Sequence, residues 1–200
     1  MTRFLLIRHA TTDSVGKRLS GRKPGVHLNE QGQEEAKNLA ERLIHVPIAA
    51  IYSSPLERAL ETAEPVATSH HLQTIICEDF LEINFGEWTD LSFEELQNEP
   101  QFQRFNNFRS TTRIPGGELM PEAQTRFIAG LQKLCLQHPG ETVAVVSHSD
   151  LIKAAIAYYA GIHLDLFQRL EISPASVSII ELYDETARIL LMNDVGGIIM

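Results

Sequence analysis

Short apolar runs alternate with amphipathic stretches along this chain of 200 residues. The apolar runs, which predict buried strands, lie at about 4–7, 49–52, 74–77 and 142–147. The amphipathic stretches, in which apolar residues recur three and four positions apart, predict helices at about 29–45, 55–70, 121–137 and 149–160. Because strands alternate with helices, we predict an α/β fold with a doubly wound, mostly parallel sheet and helices on both of its faces.

The C-terminal part of the chain has a different pattern. Two apolar runs at about 177–183 and 188–192 are joined by Asp184-Glu185-Thr186, which predicts a hairpin and therefore an antiparallel edge strand. The apolar hairpin at 178–191 and the tail at 196–200 suit either a dimer surface or the core. A homodimer therefore stays open at this stage.

The middle of the chain also departs from the alternation. Residues 80–118 are rich in aromatic side chains and contain several prolines and glycines. Their pattern predicts two short helices, at about 92–98 and 100–109. We therefore predict one domain over residues 1–200, with a small helical insertion at 89–118 that forms a wall or lid over a site.

Composition narrows the class of protein. A formal charge of -9 argues against a nucleic-acid-binding surface, and 44% hydrophobic residues are enough for one sizeable core. Cys77 and Cys135 both lie among apolar neighbours, which indicates buried thiols rather than a disulfide. No apolar stretch approaches the roughly 20 residues of a membrane span, and the first residues lack a signal-peptide pattern. The expectation is a cytoplasmic protein without a membrane or nucleic-acid partner.

The first strand ends in Arg8-His9, and small polar residues follow. Open α/β sheets place their ligands at the carboxyl ends of strands, where imidazole can act as a nucleophile and guanidinium can hold an oxyanion. By itself the pair is weak evidence. Three other segments support it: Ser53 to Ala63 after the second strand, Leu81 to Trp88 after the third, and Val143 to Ser149, which contains a strand ending in a histidine.

These four motifs, in this order, resemble those of the histidine phosphatases of the phosphoglycerate-mutase-like superfamily. The resemblance runs from Phe4 to about Met192. Within the superfamily, the chain is similar in particular to a bacterial group of small probable phosphomutases and phosphatases, which carry the segment seen here at Pro24 to Leu28 after the first loop. It implies that His9 is phosphorylated on a ring nitrogen and that Glu82 is the general acid. It also implies that no metal or cofactor is needed, because cationic side chains neutralise the phosphoryl group.

The cationic side chains are Arg8, Arg58 and His148, which can surround a phosphoryl group if their loops converge. Each has a simpler interpretation, because Arg58 could pair with Glu57 or Glu61 on a helix surface and His148 could be a satisfied histidine at a strand end. The motif context favours the phosphate-binding role.

The proposed acid also has alternatives. Glu82 could be one solvated carboxylate among many in an acidic protein, and Glu87 on the same loop is a second candidate. The resemblance favours Glu82. Further phosphate or substrate contacts are predicted for Thr12, Ser14, Ser20, Gly21, Arg22 and Ser149. Among these, Ser149 would offer its amide at a helix start, and Arg22, like Lys23, could touch the non-phosphate end of the substrate or be solvated.

Three positions depart from the family pattern. Ala10 replaces the usual glycine, which is tolerable unless the backbone needs a positive φ. The position of a phosphate-contacting asparagine falls at Val15 or Ser14, so Ser14 or Thr12 would replace that contact. Asp150 follows Ser149 where glycine is usual, and a carboxylate near an anion pocket is unfavourable unless it points away or selects substrates.

The leading functional hypothesis is a metal-independent phosphomonoester hydrolase that acts on a small phosphorylated metabolite. The first alternative is a phosphomutase, for which the family's glycolytic mutases carry a longer insertion with paired arginines. Here the 89–114 stretch offers only the separated Arg104, Arg109 and Arg113. The second alternative is a non-catalytic phosphate-sensing or protein-binding module.

Overall fold

The molecule is built from six β-strands and six α-helices, in addition to short 3₁₀ turns, within the residues that the structure describes. A computed structural model describes residues 1–196, so the last four positions of the predicted dimer tail lie outside the described residues. The six strands are β1 Thr2–Arg8, β2 Ile48–Ser53, β3 Thr74–Ile76, β4 Thr142–Ser147, β5 Val177–Leu182 and β6 Ala187–Asp194. The α-helices are α1 Glu30–Leu43, α2 Glu57–Ser69, α3 Phe93–Leu96, α4 Pro100–Asn107, α5 Met120–Gln137 and α6 Ser149–Ala160.

The strands form one sheet in the order β3-β2-β4-β1-β5-β6. Strands β1 to β4 are parallel, β5 pairs antiparallel with β1, and β6 pairs antiparallel with β5. The predicted α/β class, the mostly parallel sheet and the antiparallel hairpin at its edge are confirmed. In the register of the centre of the sheet, Arg8 lies beside Ser147 and Ser53 beside Val146. The carboxyl ends of β1, β4 and β2 therefore meet at one edge.

Helices cover both faces of the sheet, as predicted. Successive side chains of a strand point to opposite faces, so Phe4 and Leu6 of β1 pack in one apolar cluster and Leu5 and Ile7 in another. The first cluster includes buried residues of α5 and α6, and the second includes those of α1 and α2. This double burial fixes the register of the central strands, because a slip by one residue would exchange the two faces.

Helix boundaries follow local capping chemistry. Asn29 caps α1 as predicted, since its side chain accepts a hydrogen bond from the amide of Gly32 at 2.9 Å. Helix α2 begins later than predicted, at Glu57, because Leu56 is in an extended conformation, so Pro55 precedes the helix. Helix α6 ends at Ala160, and the next residue, Gly161, caps it with a left-handed φ of 67°.

The 89–118 segment contains α3 and α4, which are shorter than the predicted helices. Leu96 and Phe105 are buried in the larger apolar cluster, where the Phe105 ring meets Trp88 edge-on at 5.5 Å. These anchors attach the segment to the sheet layer beside the site. That residues 1–200 form one domain with an insertion at 89–118 stays a prediction.

Two smaller sequence expectations concern cysteines and membranes. Cys77 and Cys135 are free and only half-buried, so they are less enclosed than predicted. Within residues 1–196, no helix combines the length and the apolar character needed to cross a bilayer.

Candidate active site

A cavity of about 190 Å³ opens where the carboxyl ends of the central strands meet. The predicted site residues that line it are Arg8, His9, Thr12, Ser14, Ser20, Gly21, Arg58, Glu82 and Ser149. His148 lies directly behind this wall and is fully buried, whereas Arg22 is directed elsewhere. The fold therefore brings together all four motifs, which are far apart in the sequence.

His9 follows β1 and is only 6% exposed. Its Nδ1 lies 2.8 Å from the carbonyl oxygen of Ala10, so this nitrogen carries the proton and donates. The lone pair is then on Nε2, which hydrogen-bonds to none of the residues 1–196. Burial, and then the charges of Arg58 and Arg8, lower the pKa of His9 well below its usual value. A neutral imidazole with one free nitrogen is the form that can act as a nucleophile.

Arg8 and Arg58 each have a side-chain nitrogen with no hydrogen-bond partner in residues 1–196. Arg8 Nη1 donates to the carbonyl of Ile172 at 2.6 Å, and Arg58 Nη2 donates to the carbonyl of Gly21 at 2.8 Å. In contrast, Arg8 Nε and Arg58 Nη1 are buried and unpaired within the described chain. Arg58 is only 2% exposed, and burial lowers the pKa of both guanidinium groups. Buried donors of this kind need an acceptor, and an oxyanion in the cavity would supply it.

His148 follows β4, and its two ring nitrogens have different partners. Arg58 Nη2 lies 3.3 Å from Nδ1, and because a guanidinium can only donate, Nδ1 is the acceptor. The proton therefore sits on Nε2, which donates to Ser54 Oγ at 2.8 Å. Burial and the Arg58 charge lower the pKa of His148 well below its usual value. Ser54 was not predicted as a site residue, although it lies within the motif that contains Arg58.

Glu82 lies on the loop after β3, 3.8 Å from His148 Nδ1 through Oε2. Its other oxygen, Oε1, accepts a hydrogen bond from the amide of Ile83 at 2.9 Å. Burial, and then the negative charge of Asp150, raise the pKa of Glu82 to about 7, against the opposing effect of Arg58. A carboxyl with such a pKa holds a proton near neutrality and can both donate and accept it. Glu87, the second candidate acid, is exposed and does not line the cavity.

Arg22 supports the Glu82 loop and does not line the cavity. Its Nε donates to the carbonyl of Glu82 at 2.7 Å, and its Nη2 pairs with Glu118 at 2.9 Å. The other oxygen of Glu118 accepts from the amide of Asn84 at 2.8 Å. The expected contact between Arg22 and a substrate is therefore not supported, because its guanidinium is already engaged with this loop.

The remaining predicted contacts surround the cavity mouth. Thr12 is buried and its Oγ1 accepts a hydrogen bond from the amide of Ser14 at 3.3 Å. Ser14 and Val15, the two positions considered for the missing asparagine, both line the cavity, so Ser14 is the one that offers a hydroxyl there. Ser149 is the first residue of α6, which places its amide at the positive end of the helix dipole.

Ala10 is compatible with the site. It is fully buried against Leu28, Ala36 and Ala175, and its φ is not positive. A methyl group is therefore accommodated where glycine is usual. The amide of Ala10 donates to Thr62 Oγ1 at 2.9 Å, and this hydroxyl donates to the carbonyl of Arg58 at 2.7 Å. Thr62, one helical turn beyond Arg58, thus ties the His9 loop to α2.

We expect Thr62→Val to lower the free energy of unfolding by about 1–3 kcal/mol, because it leaves the buried Ala10 amide without an acceptor. Urea unfolding measures the change. Thr68→Val is the matched control, since Thr68 lies on the same helix but is exposed. Equal stability of the two variants would contradict the structural role of Thr62.

Asp150 lines the cavity, but it is paired. Its Oδ2 lies 2.9 Å from Nη1 of Arg109, a residue that follows α4. The repulsion expected between Asp150 and an anion is therefore reduced by a neighbouring positive charge. Sequence reasoning considered Arg109 only as one of three separated arginines, and nothing in the spacing of 41 positions indicates this pair.

The cavity is also lined by residues for which the sequence predicted no contact with a substrate. Leu19, Phe85 and Phe93 provide apolar surface, and Arg18 provides a cation whose Nη1 donates to the carbonyl of Asp90 at 2.6 Å. The aromatic content of residues 80–118 was the available signal for Phe85 and Phe93. Among residues 1–196, no three His, Cys, Asp or Glu side chains are grouped so as to hold a metal ion.

Comparisons with known proteins identify the family of this chain. A family model described as "Histidine phosphatase superfamily (branch 1)" matches residues 4–195. A bifunctional protein of Mycobacterium tuberculosis is 35% identical over 200 residues, which cover 98% of this chain but only 54% of the relative, so the chain spans about half its length. Phosphoserine phosphatase 1 of Hydrogenobacter thermophilus is 30% identical over 197 residues, covering 96% of this chain and 92% of that protein. The solved structure of YhfR from Bacillus stearothermophilus has a TM-score of 0.92 at 32% identity and covers 98% of both chains.

Proposed function

Because the chain belongs to the histidine phosphatase superfamily, we propose that it hydrolyses small phosphomonoesters through a phosphohistidine intermediate on His9. Members of this superfamily are phosphatases or mutases, and the choice between these two activities is part of the proposal. The observation that carries it is the pair of buried guanidinium nitrogens, Arg8 Nε and Arg58 Nη1, which line the same cavity as His9 Nε2. Within residues 1–196 none of these three nitrogens has a hydrogen-bond partner.

In the first step, Nε2 of His9 attacks phosphorus and the bond from phosphorus to the ester oxygen breaks. The proton of Glu82 goes to that oxygen, so that an alcohol rather than an alkoxide departs. Arg8 and Arg58 donate to the phosphoryl oxygens, where negative charge is concentrated in the transition state. The hydrogen bond from His9 Nδ1 to the Ala10 carbonyl holds the imidazole ring in the orientation needed for the attack.

In the second step, the ionised Glu82 accepts a proton from water and the resulting hydroxide attacks the phosphohistidine. The bond between nitrogen and phosphorus breaks, His9 regains its lone pair, and inorganic phosphate leaves. Glu82 is then protonated again and ready for another cycle. A carboxyl with a pKa of about 7 suits both steps, because each protonation state is populated near neutrality.

Metal independence is part of the same proposal. Arg8 and Arg58 line the cavity in which we place the phosphoryl group, and they supply hydrogen-bond donors that do not require a bound ion. His148, expected from the sequence as a third donor, is neutral and accepts from Arg58 through Nδ1, so its role in the proposal is to hold that guanidinium in place. The free hydroxyl of Ser14 and the first amides of α6 add neutral donors at the cavity mouth.

A phosphomutase is the rival that the site must be tested against. A mutase holds a bisphosphate, and this calls for cations in the outer part of the cavity. Arg109 is paired with Asp150, Arg113 is paired with Glu122 on the surface, and Arg104 is exposed. None of these three arginines lines the cavity. Arg18 does line it, with its Nη1 bonded to the carbonyl of Asp90, and one such cation rather than a pair supports the phosphatase.

Similarity suggests a first substrate to test. Two relatives carry names that describe them as phosphoserine phosphatases, one of them from Arabidopsis thaliana at 31% identity over 195 residues. We therefore include O-phosphoserine in the proposal as the first natural substrate to test, within the broader class of small phosphorylated metabolites. A cytoplasmic location and the absence of nucleic-acid partners stay predictions.

The deciding experiment is phosphate release from p-nitrophenyl phosphate in excess EDTA, between about pH 5 and about pH 8, the range in which Glu82 and free histidines titrate. We expect turnover that EDTA does not reduce. Activity that is lost in EDTA and restored by a divalent cation would contradict metal independence. Phosphate exchange between positions of a three-carbon acid, without free phosphate, would favour the mutase, and no turnover of any phosphomonoester would favour the non-catalytic module.

A further inference from the structure

A carboxylate stands in a cavity that is otherwise built for an anion. Asp150 is the second residue of α6 and lines the same cavity as Arg8 and Arg58. Its charge acts on the site, since it is one of the causes that raise the pKa of Glu82. An uncompensated carboxylate at this place would oppose the binding of a phosphate dianion.

The compensating charge comes from Arg109, and the structure holds it rigidly. Arg109 is only 4% exposed, and its guanidinium carbon lies 4.4 Å from the ring centre of Phe105 and 4.5 Å from that of Phe167. Its Nη2 donates to Asn106 Oδ1 at 2.9 Å, and its Nη1 donates to Asp150 Oδ2 at 2.9 Å. Cation–π contact with two rings and two hydrogen bonds leave the side chain little freedom.

The pair joins two parts of the fold that are distant in sequence. Arg109 belongs to the 89–118 segment, Phe167 to the chain after α6, and Asp150 to the first turn of α6, beside Ser149. A buried guanidinium needs a partner as much as Asp150 does, so each charge makes the burial of the other tolerable. The phosphate cavity is therefore electrostatically dependent on a side chain that does not line it.

Resting on the proposed function, we propose that Arg109 is a positioning residue that neutralises and orients Asp150, so that the cavity accepts a phosphomonoester or inorganic phosphate. Arg109 does not touch the reacting atoms. It acts through Asp150, and its effect is on anion affinity. When Arg109 is absent, the unpaired carboxylate faces the phosphate oxygens. When both charges are absent, the repulsion disappears with them.

The test is a double-mutant cycle of Arg109→Met, Asp150→Asn and the combined variant, with competitive inhibition by inorganic phosphate as the measurement. Methionine keeps much of the side-chain volume and removes the charge. We expect the inhibition constant for phosphate to rise about tenfold in Arg109→Met and to return to within about threefold of the wild-type value in the combined variant. An unchanged inhibition constant in Arg109→Met would overturn the proposal. So would a raised constant that the added Asp150→Asn change does not lower, because a defect caused by lost packing at Arg109 is not repaired at Asp150.

A second measurement decides the matter if Arg109→Met does not fold. Asp150→Asn is isosteric, and its amide oxygen can still accept from Arg109, so this variant tests the charge with little change in packing. Removing the negative charge next to the phosphate should lower the inhibition constant about threefold or more. An unchanged or higher constant would overturn the proposal. If the wild-type protein neither hydrolyses p-nitrophenyl phosphate nor binds phosphate, the proposed function itself fails, and that outcome is distinct from a missing effect of the pair.

Discussion

Replacing His9 with alanine is expected to lower the rate of phosphomonoester hydrolysis by about 10,000-fold or more. The reason is that the free Nε2 of His9 is the only atom to which the proposed mechanism transfers the phosphoryl group. The cavity itself should survive, because Arg8 and Arg58 are held by the carbonyls of Ile172 and Gly21 rather than by His9. The measurement is steady-state hydrolysis of p-nitrophenyl phosphate, together with phosphate binding to the variant.

The same variant tests the covalent intermediate. Wild-type protein mixed with substrate and quenched in alkali, which preserves phosphohistidine, should gain the mass of one phosphoryl group, and His9→Ala should not. His45→Ala is the matched control, since His45 is exposed and does not line the cavity. Substantial hydrolysis by His9→Ala, or a phosphoryl group found on another residue, would rule out His9 as the nucleophile.

The second large effect concerns Glu82→Gln, which we expect to lower kcat for an alkyl phosphate by about 100- to 1,000-fold. An alkoxide is a poor leaving group and needs the proton that Glu82 carries. The loss should be smaller for p-nitrophenyl phosphate, because nitrophenolate departs without full protonation. Glu87→Gln is the control on the same loop, and it should keep nearly wild-type activity with both substrates. A similar loss with both substrates would indicate that Glu82 does not protonate the leaving group.

The pH dependence follows from the directions of the pKa shifts. Glu82, with a pKa of about 7, loses the proton for the first step as the pH rises through that value, so the rate with an alkyl phosphate should fall on the alkaline side. His9 stays neutral well below its usual pKa, so it should not limit the rate in mild acid. In Glu82→Gln the alkaline decline near pH 7 should disappear.

Glu82→Gln should raise the stability of the folded chain although it lowers the activity. The pKa of Glu82 is higher in the folded chain than its ordinary value of 4.5, so the folded state loses stability as the pH rises from about 4.5 through about 7. Above that range Glu82→Gln should be more stable than the wild type by about 3 kcal/mol, and below about pH 4.5 the difference should vanish. Thermal unfolding of both proteins, below about pH 4.5 and above about pH 7, measures this difference in stability.

The sequence predicts the sheet and the principal site residues because their signals are local. Apolar runs and helical spacing identify the strands and the main helices, and Arg8, His9 and His148 lie where those strands end. In a parallel sheet the carboxyl ends of neighbouring strands lie at the same edge, and this does not depend on the path of the loops. The structure places Glu82 and Arg58 beside them, in agreement with the motifs that contain these residues.

The remaining features depend on the path of the loops, which local patterns do not determine. The contact between Arg109 and Asp150 exists because the 89–118 segment folds back over the start of α6. Arg22 donates to the carbonyl of Glu82 and forms an ion pair with Glu118, which lies far along the chain, so its sequence neighbours give no sign of these contacts. Ala175 adopts a φ of 52° while its amide donates to the carbonyl of Arg8 at 3.2 Å, a strained position for a residue with a side chain.

Arg8 Nε and Arg58 Nη1 are buried and have no hydrogen-bond partner among residues 1–196, so both are donors that a bound oxyanion can satisfy. Burying a donor without an acceptor costs free energy, and a bound oxyanion would remove that cost at both atoms. Any tetrahedral anion that binds there will then stabilise the fold by an amount that grows with the logarithm of its concentration relative to its dissociation constant. Inorganic phosphate, the product of the proposed reaction, would thus slow the enzyme and protect it from heat at the same time, which couples its turnover and its lifetime to the phosphate around it.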